Sequence, residues 1–336
     1  MELDTRAVAD WLKAQGAGIG AISATKFSGG QSNPTYLLEG SGGRLVLRRK
    51  PPGTLLKSAH AVDREYRVQK ALAGTDVPVA RMVALCEDES VIGSMFYVMR
   101  HVEGANHDDP RLPNLEEARR GAIFHEMNRV LAAIHSVDLD STGLSDFGPE
   151  GNYYRRQLDR WVKQYRASET ETIPAMDDLI AWLDGNMPED DGRRVLVHGD
   201  YRIDNMIFGE DGACRAVLDW ELSTLGHPFA DLAALIMQWQ MPPGTEGRGL
   251  AGVDRAALGL PSDEAFIAEY CARMGLPGIE RFGFYLAFAF FRMGAILQGV
   301  KKRALDGNAS DPERGLRLGA HVPAFAMGGL MAARDG

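Results

Sequence analysis

An apolar run, Val195-Leu-Val197, leads into His198-Gly-Asp200. Asn205 follows five positions after that aspartate, and a second apolar run, Ala216-Val-Leu218, ends in Asp219-Trp-Glu221. These residue types at this spacing suit phosphoryl transfer. One aspartate accepts the proton of an attacking hydroxyl, while an asparagine and a second aspartate hold the magnesium ions that accompany ATP. Magnesium takes hard oxygen ligands, usually one or two carboxylates completed by phosphate oxygens and water. Two turns, each at a strand end, aim such ligands at one point. Asp200 is therefore the candidate base, and Asn205 and Asp219 are the candidate metal ligands. His198 reads as the residue that fixes the loop by hydrogen bonding. Asp231, in Gly226-His-Pro-Phe-Ala-Asp231, either caps the apolar helix that follows or reaches back to brace the catalytic loop.

Upstream, residues 1–103 read mostly as strands: Ile22–Phe27, Thr35–Glu39, Leu45–Arg49, Arg81–Glu87 and Ser94–His101, interrupted by one helix from about Ala59 to Ala73. The glycine-rich segment Phe27-Ser-Gly-Gly-Gln-Ser-Asn33 lies between two of those strands. Ser28, Gly29, Gly30, Ser32 and Asn33 are its candidate contacts to a nucleotide, because backbone N–H groups in such a hairpin approach a triphosphate closely. Arg48 ends a strand and has Glu65 as its natural partner on the next helix; a solvated basic strand end is the alternative. Phe96-Tyr-Val-Met-Arg-His101 runs from a buried strand towards Gly104, where a hinge would leave backbone groups for adenine, with Met99 and His101 the residues concerned.

From about residue 115 the pattern turns helical: Leu115–His135, Tyr153–Arg166, Met176–Gly185, Phe229–Trp239, Asp263–Met274, Phe282–Ala304 and a last helix near Leu316–Met331. Only Arg194–Val197, Met206–Phe208 and Cys214–Leu218 break it as strands, and all three flank the opening motif. The expectation is an α+β chain with a small β-rich N-lobe over 1–103 and a larger helical C-lobe over 104–336. Pro242–Pro261 reads as a long loop and a candidate lid.

Composition sets outer bounds. Of 336 residues, 45% are hydrophobic and 25% charged, ordinary for a soluble globular protein. A net charge of −9 argues against a nucleic-acid or anionic-membrane surface. Three scattered cysteines fit a reduced, cytoplasmic protein without a disulfide framework. The apolar stretch Phe282–Val300 is interrupted by Arg292 and Gln298, which favours a buried helix over a membrane span. The N-terminus reads as an amphipathic helix capped by Asp4. A homodimer is compatible with all of this.

With these residues in hand, the chain resembles the aminoglycoside phosphotransferase and choline kinase branch of the protein-kinase-like fold. That branch has His-Gly-Asp and Asp-Trp where protein kinases have His-Arg-Asp and Asp-Phe-Gly. Val46-Leu-Arg-Arg-Lys-Pro51, His198-Gly-Asp-Tyr-Arg-Ile-Asp-Asn205 and the segment Phe291–Ser310 further resemble the kinase-like domain fused to some acyl-CoA dehydrogenases. The resemblance implies a bilobal fold and ATP and Mg²⁺ as cofactors. It also implies a small-molecule hydroxyl acceptor, a hydroxyacyl-CoA in the nearer relatives. Arg48 departs from the lysine of the wider family. An aminoglycoside-type antibiotic kinase is the alternative, for which Asp204 and Glu221 would supply acidity. A pseudokinase-like module partnering an acyl-CoA dehydrogenase is a further one. For a CoA thioester, Lys301, Lys302 and Arg303 either meet its phosphates or form a solvated helix end that complements the dipole.

Overall fold

Alternation along one strand organises the N-terminal part. In β3 (Gly43–Arg49), Leu45 and Leu47 point to one face of the sheet and Val46 to the other. The first face packs on α1 (Thr5–Ala14), whose Val8 and Leu12 are fully buried and whose Trp11 meets Phe96 edge-on at 4.8 Å. Each such burial is worth about 1.5–3 kcal/mol relative to exposure. Asp4 caps α1 by accepting from the Ala7 N–H at 2.9 Å. The second face packs on α2 (Val62–Leu72) through Val62 beside Val46, Tyr97 and Met99. The sheet is antiparallel throughout, with β1 (Ser23–Lys26), β2 (Thr35–Gly40), β3, β5 (Phe96–Arg100) and β4 (Met82–Cys86) side by side in that order.

The computed structural model describes residues 3–27, 33–51, 61–244, 248–309 and 311–334. Contacts divide the chain into two units. The first comprises Met1–His107, Val137–Ser145 and Asp204–Ser223, and the second comprises Asp108–Ser136, Asp146–Ile203 and Thr224–Gly336. The first unit therefore adds to the sheet the hairpin of β7 (Met206–Phe208) and β8 (Cys214–Val217). Backbone bonds fasten this hairpin: Ala105 and Phe208 exchange N–H···O pairs at 2.8 Å, and the Val217 N–H donates to Pro78 O at 2.8 Å. Gly104 makes the join feasible. Its φ is +151°, and a Cβ there would sit 2.5 Å from Phe208 O.

The second unit is helical: α3 (Glu117–His135), α4 (Tyr153–Ser168), α5 (Pro174–Gly185), α6 (Phe229–Trp239), α7 (Asp263–Arg273), α8 (Phe282–Leu305), α9 (Pro312–Gly319) and α10 (Val322–Ala332). α8 is long and apolar enough to cross a membrane by length and composition, but 78% of that window is buried within the protein, where it serves as a core helix. Two features differ from the sequence expectation. The single helix near Leu316–Met331 is broken into α9 and α10, because Pro323 lacks an N–H and fits only the first turn of a new helix. A three-residue strand, β9 (Thr224–Gly226), pairs antiparallel with β6 (Val195–Val197), the strand that leads into His198-Gly-Asp200.

Candidate active site

The same alternation that buries Val46 against α2 turns Arg48 to that side, opposite Tyr97 in the β3–β5 register. Glu65 meets it there: Arg48 Nε lies 2.8 Å from Glu65 Oε2, an ion pair too bent to count as a hydrogen bond. Tyr97 OH donates to Glu65 Oε2 at 3.1 Å and Asn33 Nδ2 donates to Glu65 Oε1 at 2.8 Å. Burial pushes the Glu65 carboxyl up to about 7, against the pull of Arg48, and the nearby Asp219 and Glu221 charges add to the rise. Burial alone would lower Arg48; the facing carboxylates outweigh it and raise its pKa, so the guanidinium is held charged. Its Nη2 reaches Asp219 Oδ1 at 2.5 Å and lies 3.7 Å from Glu221 Oε2. Arg49, next in the strand, points the opposite way and is buried on Ser94 Oγ and Ile92 O, both at 2.9 Å.

Asn205 and Asp219 come together through the hairpin. The Leu218 N–H donates to Asn205 O at 2.7 Å, extending the β7–β8 ladder by one rung, so Asp219 follows directly at the end where Asn205 begins. Asp219 adopts a left-handed backbone, φ 64° and ψ 56°. Such a conformation costs a non-glycine residue about 1 kcal/mol or more and is concentrated at functional turns. Asn205 and Asp219 thus stand at the same ladder end, and an amide oxygen and a carboxylate are the hard donor types a magnesium ion uses, so the residue types fit the metal. Among the described residues no cluster of three or more His, Cys, Asp or Glu forms a cage. A magnesium ion bound largely through nucleotide phosphates and water does not need one.

In the second unit, β6 delivers His198-Gly199-Asp200. The Asp231 carboxylate accepts the backbone N–H of His198 at 2.7 Å and of Gly199 at 2.8 Å. Of the two roles open to Asp231 in the sequence, the structure shows the brace. His135 Nε2 lies 3.3 Å from the same carboxylate, and its Nδ1 is 2.7 Å from Tyr270 OH. A carboxylate only accepts, so His135 Nε2 donates to Asp231. Burial works to raise the Asp231 pKa, but the bonds from His135 and the loop outweigh it and hold the carboxyl below the usual range. His198 is fully buried, and its Nδ1 accepts the Asp200 N–H at 3.2 Å. Arg292 Nη2 donates to Gly199 O at 3.1 Å, and Arg202 Nε lies 3.2 Å from Asp200 Oδ2.

The remaining candidates fall as follows. Asn33 is fully buried and spends its side-chain amide on Glu65 and, at 3.4 Å, on Glu221. Met99 lies on the α2 face of β5, and the His101 N–H donates to Arg44 O at 3.5 Å. Ser28, Gly29, Gly30 and Ser32 lie outside the described residues. In the candidate lid, the Gly249, Leu250 and Ala251 N–H groups donate to Pro242 O at 3.3 Å, Trp239 O at 2.8 Å and Met241 O at 3.0 Å, and residues 245–247 lie outside the described residues. Lys301 and Lys302 are spent on ion pairs with Glu171 and Asp306. Tyr97 and Arg292 were not singled out from the sequence for these contacts. For Arg292, the signal was a lone charge in the apolar Phe282–Val300 stretch.

A small antiparallel N-lobe sheet with one helix on its Arg–Glu face, followed by a helical lobe that carries a braced His-Gly-Asp loop, defines a kinase-like phosphotransferase. The chain belongs to the phosphotransferase enzyme family, whose model matches residues 23–281. It is 51% identical over 293 residues to acyl-CoA dehydrogenase family member 10 of Mus musculus, covering 87% of this chain and 27% of that protein. To acyl-CoA dehydrogenase family member 11 of Homo sapiens it is 40% identical over 322 residues, covering 93% and 41%. The chain thus spans less than half the length of these relatives. A crystal structure of a putative aminoglycoside phosphotransferase from Ralstonia eutropha JMP134 superposes with a TM-score of 0.91 at 47% identity, over 99% of both chains. Aminoglycoside phosphotransferase APH(4)-Ia, solved with ADP and hygromycin B, shares the fold with a TM-score of 0.64 at 19% identity, over 98% of this chain and 99% of its own.

Proposed function

We propose that this chain transfers the γ-phosphoryl group of ATP to a hydroxyl of a small acceptor, a hydroxyacyl-CoA, in a magnesium-dependent reaction. The observation that carries the reading is the Leu218 N–H to Asn205 O bond at one end of the β7–β8 ladder, which sets Asp219 one residue beyond it, with Asp219 held on the Arg48 of an Arg48–Glu65 ion pair. Asp200 takes the proton of the acceptor hydroxyl as its oxygen bonds to the γ-phosphorus. The bond from that phosphorus to the β–γ bridging oxygen breaks, and ADP leaves. Asp231, His198 and Arg292 hold the Asp200 loop, so little reorganisation is needed when the acceptor arrives. Arg48, set by Glu65, exchanges its carboxylate contacts for phosphate oxygens. Asn205 and Asp219 would hold magnesium, which when bound neutralises phosphate charge and orients the nucleotide.

The relatives named as acyl-CoA dehydrogenases support a CoA-thioester acceptor. A second reading, an aminoglycoside acceptor, draws on the Ralstonia structure's description. Calorimetric titration with ATP and Mg²⁺ tests the ladder-end assignment. Asp219→Ala is expected to weaken binding about tenfold or more, since one lost charge-assisted contact is worth at least ~1.4 kcal/mol. Unchanged affinity and magnesium dependence would remove Asp219 from the site and, with it, the main support for the proposal.

A further inference from the structure

Ala105 and Phe208 form an isolated antiparallel bridge, and one residue further on the Asn106 side chain takes over from the backbone. Its Nδ2 donates to Asp204 O at 2.7 Å and to Met206 O at 3.0 Å. Both partners are carbonyl oxygens, which only accept, so the amide must present its NH₂ here, and each of its two protons has an acceptor. Those two carbonyls flank Asn205 in the chain. The carbonyl of Asn205 itself accepts the Leu218 N–H at 2.7 Å. Three consecutive carbonyls are thus held where a single helical turn, Ile203–Asn205, passes into β7. The φ and ψ of Asn205 are set by the peptide planes on either side of it. Asn106 holds the first plane through Asp204 O, and Leu218 holds the second through Asn205 O. Together they fix the direction of the Asn205 Cα–Cβ bond, and so the aim of a side chain that is itself buried. A metal ligand needs such support, because outer contacts that orient a ligand tune the metal nearly as much as the ligand does.

We propose that Asn106 is a positioning residue for metal binding: by clamping the peptide groups beside Asn205, it aims the Asn205 amide at the magnesium ion. The inference rests on the phosphotransferase reading above. In this role Asn106 acts through Asn205 alone. Asn106 is exposed, so its two bonds replace bonds to water and add little to stability. Its effect is therefore expected in metal binding rather than in folding.

The test is calorimetric titration of the whole chain with the non-hydrolysable analogue AMP-PNP, with and without Mg²⁺, beside urea unfolding. The quantity read is the factor by which Mg²⁺ tightens AMP-PNP binding. Wild type should show that factor and Asn205→Ala should lose most of it. Asn106→Leu, close in size but without donors, should reduce it about 10-fold, the lower end of what loss of an orienting contact costs. AMP-PNP affinity without Mg²⁺ should stay unchanged. Adding Asn106→Leu to Asn205→Ala should cost nothing further, since no ligand is left to aim. Asn106→Gln, which keeps the NH₂ on a longer arm, should recover part of the loss, and Asn106→Ala replaces the leucine variant should that misfold. If Asn205→Ala loses the factor while Asn106→Leu and Asn106→Ala keep it, or lower both affinities alike, the positioning role is overturned and the phosphotransferase reading stands. A factor absent in wild type, or intact in Asn205→Ala, would overturn the metal assignment of Asn205 and the positioning role with it.

Discussion

Replacing Asp231 by asparagine keeps the shape of a buried side chain and removes its charge and one acceptor. In the wild type two backbone N–H groups, of His198 and Gly199, point at separate carboxylate oxygens at 2.7 and 2.8 Å, and His135 Nε2 shares one of them. Hydrogen bonds to a charged group are worth about 1.5–3 kcal/mol each, and a buried donor left without an acceptor costs about 1–3 kcal/mol. Asparagine offers one oxygen, so one backbone N–H must face an amide NH₂. Removing a buried charge returns some desolvation energy, which offsets part of the loss. The balance is a destabilisation of about 2–4 kcal/mol. Urea unfolding followed by tryptophan fluorescence reads it directly. The sign with pH also follows: the depressed Asp231 pKa gives stability that is present above the ordinary carboxylate range and lost as pH falls through the lower folded value. The gap between variant and wild type should therefore shrink only in strong acid. In the folded variant, a loosened Asp200 loop should lower kcat about 100-fold with little change in ATP affinity. A destabilisation under about 0.5 kcal/mol, the ordinary scatter of neutral surface changes, would refute the brace.

Two further outcomes are expected. Glu65 has a folded pKa raised from 4.5 to about 7, so its contribution to stability is full below about 4.5 and lost as pH rises to about 7. Thermal unfolding of the nucleotide-free protein should show that decline, and Glu65→Gln should flatten it; an unchanged profile in the variant would assign the dependence elsewhere. Gly104→Ala forces a Cβ to 2.5 Å from Phe208 O at a φ of +151° and should cost about 3 kcal/mol or more in urea unfolding. A neutral result would mean that the Ala105–Phe208 join does not hold the hairpin as described.

Much of the candidate site was legible because its chemistry is local in sequence. Asp200 and Asn205 lie within one loop, and Asp219 ends the next strand of a hairpin. The strand alternation that turns Arg48 towards α2 is a period of two, readable in Leu45-Val-Leu-Arg48. The contacts that sequence did not disclose are long-range: Arg292 reaches Gly199 from 93 residues away, and Asn33 reaches Glu65 from 32. No periodicity carries such a pairing. β9 has three residues, too few for an alternating pattern to stand out, and its strand character comes from pairing with β6. The α9–α10 break shows local chemistry overriding an apolar pattern that runs through it, because Pro323 supplies no N–H.

The central claim is that this chain moves a phosphoryl group from ATP to an acceptor hydroxyl through Asp200. Its most direct test is ATP consumption by purified protein with Mg²⁺ against hydroxyacyl-CoAs and aminoglycosides, comparing wild type with Asp200→Ala. The account predicts phosphorylated hydroxyacyl-CoA from the wild type, and in the variant retained ATP binding with turnover reduced by about 10³-fold or more. Near-normal turnover in Asp200→Ala, or no phosphorylated product from any acceptor despite tight ATP binding, would contradict it.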